Sequence, residues 1–329
     1  MPDATIRDVA RRAEVSVASV SRALNGLENV RENTRARVND AVRELGYVPH
    51  AGARSLSLAR SNAIGVVLPD LHGEFFSEIV RGMDREASRR GYLLLLSNLH
   101  SGSEQSTSGL RAMRGRVDGL IVVAPHLGEE ELARALPDGI PAVLVNTRKE
   151  DGASIHLDNA AGTRAVVDHL VDAGRRRLVH IAGPADNVDA QERADAFREA
   201  CGARGVECEV VRGAFTEDSG YEVTAKLIEA GKMFDAIFAA NDNMAIGAMQ
   251  ALSSAHIRVP GDVAVAGFDD IPLAKHLGLT TVRVRIAELG QRALERMITI
   301  LADGNIGGNE LHAPELIIRA TTDPITRNA

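Results

Sequence analysis

Residues 5–26 read TIRDVARRAEVSVASVSRALNG, and this stretch determines the fold of the N-terminal part of the chain. Thr5 followed by Asp8 is typical of a helix start, because each side chain can satisfy a backbone amide of the first turn. Apolar residues then recur at helical spacing, at Ile6, Val9, Ala10 and Ala13. The stretch therefore predicts a short helix with one buried face.

A second short helix follows, and Ser16 is in position to cap it. Its inward positions are Val20 and Leu24. Its outward positions are Val17, Ala18, Ser19, Ser21 and Arg22. Small outward residues let a helix approach the major groove of DNA, and Arg22 can reach a guanine edge or a phosphate. The pair predicts a helix-turn-helix, although a short helical hairpin in any bundle has the same pattern.

A third amphipathic helix is predicted from Val38, Ala41, Val42 and Leu45, with Gly46 as its C-cap. Three short helices with one exposed face form a common DNA-reading unit. The segments DVARRAEVSVASVSRALNG and ENTRARVNDAVRELGYVP closely resemble the LacI/GalR family of bacterial transcriptional regulators. The resemblance extends, with gaps, over nearly the whole chain, and its first sixty residues are the most specific part.

The resemblance implies double-stranded operator DNA as a partner and a homodimer as the DNA-binding form. It places DNA contacts on Thr5, Ser16, Val17, Ala18, Ser19, Ser21, Arg22, Asn25 and Tyr47.

Residues 47–61 form a weak helical pattern that is not stable alone. In the family this segment is a hinge helix, and the resemblance gives Leu56 the role of a wedge in the minor groove. The alternative is a solvated linker with an incidental leucine.

Charge is unevenly distributed along the 329 residues, whose formal net charge is −7. Residues 1–60 contain ten arginines, no lysine and seven acidic residues, so a basic head precedes an acidic body. That distribution fits a DNA-binding module attached to a module that avoids DNA.

The two cysteines, Cys201 and Cys208, suggest free thiols rather than a disulfide framework. The sequence has no signal-peptide pattern and no membrane-length apolar run, so we expect a cytoplasmic protein without a membrane partner.

From Asn62 onward, short apolar runs alternate with helical segments, which is typical of a doubly wound parallel sheet. The first series of predicted buried strands is 63–68, 92–97, 120–124 and 142–145. The second series is 178–181, 209–211, 236–239 and 263–267, and a last strand is predicted over 315–322. Two series of four strands predict two similar lobes, with a ligand at the carboxyl ends of the strands.

The predicted fold class is therefore α/β, with an all-α helix-turn-helix head, a hinge helix and a two-lobed effector domain that resembles periplasmic binding proteins. We expect the head over 1–46, the hinge over 47–61 and the effector and dimerisation domain over 62–329. In the family the chain crosses between lobes, which implies an N-terminal lobe of about 62–159 with 286–313. The C-terminal lobe is then about 160–285 with 314–329. The chain ends without a leucine heptad tail, so a dimer rather than a tetramer is expected.

The candidate effector site is a polar ring around an apolar cleft. The resemblance places its residues at Phe75, Phe76, Asn146, Arg193, Phe215, Asn241, Asp269 and Ile286. Arg193 and Asp269 can donate to and accept from neighbouring hydroxyls, and Phe215 can stack on a sugar or purine ring. Each phenylalanine is equally compatible with a simple core position. Asn146 stands where some relatives carry an acid.

Enzyme and cofactor motifs are missing, since the sequence has no GxxxxGK[ST], GxSxG, HExxH or helix-opening GxGxxG. We therefore expect a transcriptional regulator of the repressor type rather than an enzyme, with no cofactor. A small-molecule effector, most simply a sugar or sugar derivative, would switch its affinity for a pseudo-palindromic operator. The competing hypothesis is a sugar-binding receptor without gene regulation. The sequence leaves open whether the effector releases DNA or promotes its binding.

Overall fold

The computed structural model describes residues 4–26, 30–48, 60–69, 73–99, 109–147 and 152–323. The chain forms two compact units. One contains residues 1–62 with 116–118, and the other contains 63–115 with 119–329. We describe each unit by itself.

The first unit is a three-helix head made of α1 (Ile6–Ala13), α2 (Val17–Leu24) and α3 (Glu32–Leu45). Its core comes from all three helices and consists of Val9, Ala10, Ala13, Val20, Ala23, Val38 and Ala41. The buried positions recur every three or four residues, so each short helix is held by tertiary packing. The three predicted helices are confirmed, but Leu45 is 37% exposed and lies outside this core.

Local sequence fixes where the head helices begin and end. Thr5 and Asp8 form the predicted capping box, in which the backbone amide of Thr5 donates to Asp8 Oδ2 at 3.0 Å. The Ser16 hydroxyl accepts from the Ser19 amide at 3.1 Å and starts α2. Gly46 ends α3 in the left-handed conformation at φ 59°, which glycine adopts without a steric penalty. Glu14 ends α1 in the left-handed conformation at φ 50°, so the turn between α1 and α2 has a cap on each side.

The second unit is an α/β body with two sheets. In chain order its first half contains β1 (Ala63–Leu68), α4 (Glu74–Arg90), β2 (Leu93–Asn98), β3 (Gly119–Val123), α5 (Glu129–Ala135), β4 (Ala142–Val145), β5 (Ala153–Leu157) and α6 (Asn159–Asp172). Its second half contains β6 (Arg177–Ala182), α7 (Val188–Arg204), β7 (Glu207–Arg212), α8 (Glu217–Glu229), β8 (Ala236–Ala239), α9 (Asp242–Ser254), β9 (Ala264–Asp269), α10 (Pro272–His276), β10 (Thr280–Arg283), α11 (Ile286–Asp303), β11 (Asn309–His312) and β12 (Glu315–Ile317).

Each sheet has six strands. The first sheet is entirely parallel in the order β11-β5-β4-β3-β1-β2. The second has the order β12-β10-β9-β8-β6-β7 and is parallel except for the antiparallel pair of β10 and β12. Central strands such as β3 and β8 are buried along their whole length, as expected for parallel strands covered on both faces. The predicted fold class is confirmed.

The prediction of four strands in each lobe was too low, because the missing strands lack continuous apolar runs. In β5, Ser154 and His156 interrupt the apolar pattern, and the Ser154 hydroxyl lies 2.7 Å from His156 Nε2. The same hydroxyl donates to Asn309 Oδ1 at 2.5 Å, at the start of β11. Because a neighbouring strand satisfies polar groups of β5, the sequence of β5 does not need the continuous apolar run that would have predicted a strand.

Two predicted strands also differ in character from what the sequence suggested. The run at 92–97 was predicted to be buried, but β2 is an edge strand in which Leu93 is 71%, Leu95 39% and Leu96 45% exposed. The strand predicted over 315–322 is short, because beyond Ile317 the backbone bonds to side chains. For example, the amide of Arg319 donates to Thr280 Oγ1 at 2.8 Å. Among the described residues, no helix is long and apolar enough to cross a membrane.

Helices α4 and α11 approach each other at two glycines. A Cβ atom on Gly82 would collide with the carbonyl of Ala287, and one on Gly290 would collide with the carbonyl of Ile79. Because backbone atoms cannot move aside as a flexible side chain can, glycine is required at both positions. This contact attaches α11, which follows β10 of the second sheet, to the helical layer of the first sheet.

We therefore expect Gly82→Ala to lower the free energy of unfolding by about 1–3 kcal/mol, the usual cost of overpacking. Urea denaturation followed by circular dichroism at a fixed protein concentration measures this. Gly202→Ala is the matched control, since Gly202 lies in α7 with nothing within 4 Å of an added Cβ. That control should be neutral or slightly stabilising. Equal stability of the two variants would show that α4 and α11 are not in close contact.

Candidate functional site

The outward face of α2 is small and exposed, apart from one arginine. Val17 is 41% exposed, and Ala18 and Arg22 are also exposed. Ser19 and Ser21 are half-buried at the edge of this face. Arg22 lies along the helix, since its Nε donates to the carbonyl of Ala18 at 3.2 Å. The face therefore presents two small apolar groups beside one long cationic side chain.

The hydroxyls predicted to contact DNA have partners inside the head. The Ser16 and Ser19 hydroxyls lie 2.9 Å apart at the start of α2. The Thr5 hydroxyl donates to Asp8 Oδ2 at 2.6 Å, and Ser21 Oγ accepts from Asn25 Nδ2 at 3.5 Å. These residues position the helix starts, and any contact they make with DNA adds to that role.

Of Tyr47 and Leu56, only Tyr47 lies among the described residues. Tyr47 is half-buried and packs against the core of the head, and its amide donates to the carbonyl of Val42 at 3.0 Å. Leu56, with most of the predicted hinge, lies outside the described residues. The minor-groove wedge therefore stays a prediction.

The α/β body contains a cavity of about 460 Å³. Most of its walls follow the carboxyl ends of strands, as in other parallel sheets, and the loops come from both sheets. Its described lining residues are Pro69, Gly73, Phe75, Phe76, Val123, Pro125, His126, Asn146, Asn187, Asp189, Arg193, Ala214, Phe215, Thr216, Glu217, Asn241, Asn243 and Asp269.

The cavity brings together seven of the eight predicted effector residues, namely Phe75, Phe76, Asn146, Arg193, Phe215, Asn241 and Asp269. Ile286 is different: it begins α11, is 5% exposed and packs in the hydrophobic core. Phe75 and Phe76 meet edge to face with ring centroids 5.3 Å apart. The wall therefore combines an aromatic corner with polar groups, an arrangement suited to a ligand with one apolar face and several hydroxyls.

Arg193 is buried, with only 4% of its surface exposed, and its contacts hold it rigidly. Its Nε donates to Asn159 Oδ1 at 2.8 Å, and its Nη1 donates to the carbonyl of Ala240. The guanidinium carbon lies 3.7 Å from the centre of the Phe268 ring, which adds a cation–π contact. These contacts fix the direction from which the guanidinium faces the cavity.

Asn241 and Phe215 position each other. Asn241 Oδ1 accepts from the Met244 amide at 3.0 Å and caps α9, while its Nδ2 donates to the carbonyl of Phe215 at 2.9 Å. Phe215 has a positive φ of 62°, and a Cβ on Gly183 would collide with its ring. Phe215 therefore has a strained backbone, a carbonyl bonded to Asn241 and a ring packed on Gly183. These constraints preorganise the ring to stack on a ligand.

Two buried carboxyl groups support the polar wall: Asp269 lines the cavity, and Asp242 lies behind it. Asp269 is 6% exposed, and burial raises its pKa to about 7; Arg193 lowers it and Asp189 raises it further. Asp242 is fully buried, and burial followed by the nearby Asp269 raises its pKa well above the ordinary value. Asp242 accepts from the Ile271 amide at 2.9 Å and from Thr281 Oγ1 at 2.5 Å. It therefore ties the start of α9 to the segment that follows Asp269.

Asn146 contributes an unsatisfied acceptor to the wall. It is 6% exposed, and among the described residues its Oδ1 has no hydrogen-bond donor. Buried acceptors are almost always satisfied in folded proteins. The side chain of Asn146 lines the cavity, but this oxygen is itself buried within the wall.

Two hydrogen bonds join loops of the two sheets beside the cavity. Glu74 Oε2 accepts from the Leu273 amide at 3.1 Å, which links α4 to α10. The Val188 amide donates to the carbonyl of Pro125 at 3.0 Å, which links α7 to the loop after β3. These bonds join the two sides of the cavity wall.

Sequence reasoning missed several lining residues, of which Asp189 and Glu217 are charged. Both lie in the first turn of a helix, Glu217 directly after the cap Thr216 and Asp189 two residues after the cap Asn187. A cap followed by an acid at a predicted strand-to-helix loop was the available signal, but it also has a purely structural meaning. Among the described residues, no group of acidic, histidine or cysteine side chains is arranged to hold a metal ion.

Comparison with known proteins identifies relatives along nearly the whole chain. The family model of bacterial regulatory proteins, lacI family, matches residues 5–50, and that of the periplasmic binding protein-like domain matches residues 167–322. The ribose operon repressor of Escherichia coli (strain K12) is 35% identical over 305 residues, covering 90% of this chain and 92% of that protein. The HTH-type transcriptional repressor CytR of the same organism is 32% identical over 331 residues, covering 97% and 96%.

A solved structure extends the likeness to three dimensions. The lac repressor dimer bound to operator and the anti-inducer ONPF is 30% identical, with a TM-score of 0.90. The match covers 97% of this chain and 99% of that one. A lacI family transcriptional regulator from Silicibacter pomeroyi is 28% identical with a TM-score of 0.82, covering 98% and 100%.

The raised pKa of Asp269 predicts that the affinity of the cavity for a neutral monosaccharide depends on pH. A ligand hydroxyl that donates to this carboxyl favours its ionised form, so binding releases a proton wherever the free group is still protonated. Since the pKa is raised to about 7, affinity should increase as pH rises toward 7 and level off above it. The slope should approach about tenfold per pH unit below the pKa.

Titration calorimetry of a panel of neutral monosaccharides, in buffers from about pH 5.5 to pH 8.5, measures this dependence. Asp269→Asn should flatten the profile, because the amide does not titrate. A wild-type profile that is already flat over this range would mean that the ligand does not use the Asp269 carboxylate.

Proposed function

The chain belongs to the lacI family of bacterial regulatory proteins, and on this premise we propose which of its residues contact operator DNA and which bind its effector. The protein is a sequence-specific, DNA-binding transcriptional regulator related to a ribose operon repressor and to the transcriptional repressor CytR. It binds operator DNA as a homodimer and responds to a sugar-type effector. We assign it no catalytic activity, and we assign it to the bacterial cytoplasm, where operator DNA lies.

We divide the chain into a DNA-binding head over 1–46, a hinge over 47–61 and an effector-binding domain over 62–329. The observation that carries the DNA assignment is the exposed face of α2, where Val17 and Ala18 lie beside Arg22. Arg22 is the base-reading residue in this proposal, and the two small residues make apolar contacts in the major groove. Thr5, Ser16, Ser19, Ser21, Asn25 and Tyr47 contact the phosphate backbone, and Leu56 widens the minor groove at the centre of the operator.

The dimer forms in part along the edge strand β2. Leu93, Leu95 and Leu96 are exposed there, on a strand whose outer edge has no neighbour in the sheet of the described chain. Exposed leucines along an open strand edge are unfavourable in water and typical of an interface. A second copy of the chain supplies the missing cover, and its two-fold symmetry matches that of a pseudo-palindromic operator.

The effector is a neutral sugar bound in the cavity of the α/β body. The observation that carries this assignment is the wall of the cavity, which combines the polar side chains of Arg193 and Asp269 with the aromatic ring of Phe215. Arg193 donates to one ligand hydroxyl and Asp269 accepts from another, while Phe215 stacks on the ring. D-ribose is the first sugar to test, since a ribose operon repressor is among the relatives.

Charge favours an uncharged sugar over its phosphate ester. Of the described lining residues, Asp189, Glu217 and Asp269 are acids and Arg193 alone carries a permanent positive charge. Helix starts usually attract anions, but three helices that begin beside the cavity carry Glu74, Asp189 or Glu217 in the first turn. These carboxyl groups already occupy the positive ends of the helices, so a phosphate would be repelled.

The DNA assignment is tested by Arg22→Ala. The variant should lose about 1–3 kcal/mol on a cognate operator and should discriminate less at one base position. Fluorescence anisotropy with a selected operator and its single-base variants measures both effects. Arg43→Ala is the matched control, because it removes one positive charge from an exposed position on α3. If Arg22→Ala weakens binding equally on every sequence, Arg22 contacts only phosphate.

A further inference from the structure

Asn159 lies behind the cavity wall and makes three hydrogen bonds there. It is the first residue of α6 and is 1% exposed. Its Oδ1 accepts from Arg193 Nε at 2.8 Å. Its Nδ2 donates to Asp189 Oδ1 at 2.8 Å and to Glu192 Oε2 at 2.9 Å. One buried amide therefore contacts one cationic and two acidic side chains of α7.

Two of these partners, Asp189 and Arg193, line the cavity and lie four residues apart on the same helix. Opposite charges at this spacing normally attract each other on the helix surface. Here, Arg193 directs Nε to Asn159 and Nη1 to Ala240. The Asn159 side chain bonds both groups at once, with its oxygen toward the cation and its nitrogen toward the carboxylate.

We propose that Asn159 is a positioning residue that prevents Asp189 and Arg193 from pairing and so keeps both directed at the effector. The inference rests on the proposed function in one respect, since it takes Arg193 to be an effector contact. Asn159 does not itself line the cavity, so it acts through its two neighbours.

The chemistry of the position admits few substitutes. Only an amide offers an acceptor for the guanidinium together with two donors for the carboxylates. An aspartate would place a third carboxyl group against Asp189 and Glu192. An apolar residue would take this partner away from the buried Arg193 and Asp189 and from the half-buried Glu192, and Arg193 would turn toward Asp189 for compensation. A paired Arg193 and Asp189 would neutralise each other at the cavity wall.

The test compares Asn159→Ala with the wild-type full-length protein, using D-ribose as the probe in titration calorimetry. We expect the affinity for D-ribose to fall by about 10- to 100-fold, the effect of losing one buried polar partner. Operator affinity without sugar should not change, which confirms that the variant folds. Gln191→Ala is the matched control, since it removes an amide side chain of α7 that bonds to Asp195 at 3.0 Å and does not line the cavity. Unchanged D-ribose affinity in Asn159→Ala would overturn the proposal.

A second comparison separates positioning from general loss of packing. Asp189→Asn removes the charge that would attract Arg193, so adding Asn159→Ala to it should cost little further affinity. Fully additive losses would mean that Asn159 acts independently of Asp189 and would overturn the proposal.

The crystal structure of Asn159→Ala gives a readout that needs no sugar. The guanidinium of Arg193 should lie within about 4 Å of the Asp189 carboxylate. An Arg193 that keeps its wild-type position would overturn the proposal. If the wild-type protein binds operator but not D-ribose, the effector assignment fails, and this structure still decides the role of Asn159.

Discussion

The buried guanidinium of Arg193 is the constraint on which the effector site depends. A cation that is 4% exposed is tolerated only if its donors and its charge are compensated, because burial removes most of its hydration. The Asn159 amide, the carbonyl of Ala240 and the face of Phe268 provide that compensation. They come from α6, the end of β8 and β9, so the fold of the second sheet fixes the charge in one place. A ligand meets a donor that needs no reorganisation on binding.

The same compensation explains why the cavity is polar without being cationic. Three helices that begin beside the cavity have an acid in the first turn, and burial raises the pKa of Asp269 to about 7. Such a wall recognises hydroxyl groups by donating and accepting, and it disfavours negative charge. The loops of the two sheets meet at this wall through the Glu74–Leu273 and Val188–Pro125 hydrogen bonds. A ligand that bridges the walls favours the arrangement in which they meet, which is how binding energy can shift a conformational equilibrium.

The sequence predicted the features that depend on residues close together in the chain, and it missed those that depend on distant residues. The capping box at Thr5 and the C-cap at Gly46 use neighbouring residues, and the head helices were predicted closely. β5 and β11 were missed because Ser154 and Asn309 stabilise them across the sheet, 155 residues apart in sequence. The role of Asn159 had no sequence signal, since its three partners are brought to it only by the packing of α6 on α7. Ile286 was predicted to line the cavity by resemblance, but its side chain packs in the core.

The central claim is that sugar binding in the body changes DNA binding by the head. The most direct measurement is the affinity for an operator, selected from a random DNA pool, at saturating D-ribose and at saturating D-ribose 5-phosphate. We expect D-ribose to change operator affinity by roughly 5- to 150-fold, the usual range of allosteric coupling. D-ribose 5-phosphate should leave operator affinity unchanged. Asp269→Asn should require a higher D-ribose concentration for the same change while leaving sugar-free operator affinity intact. An operator affinity that is the same with and without bound D-ribose would contradict the account.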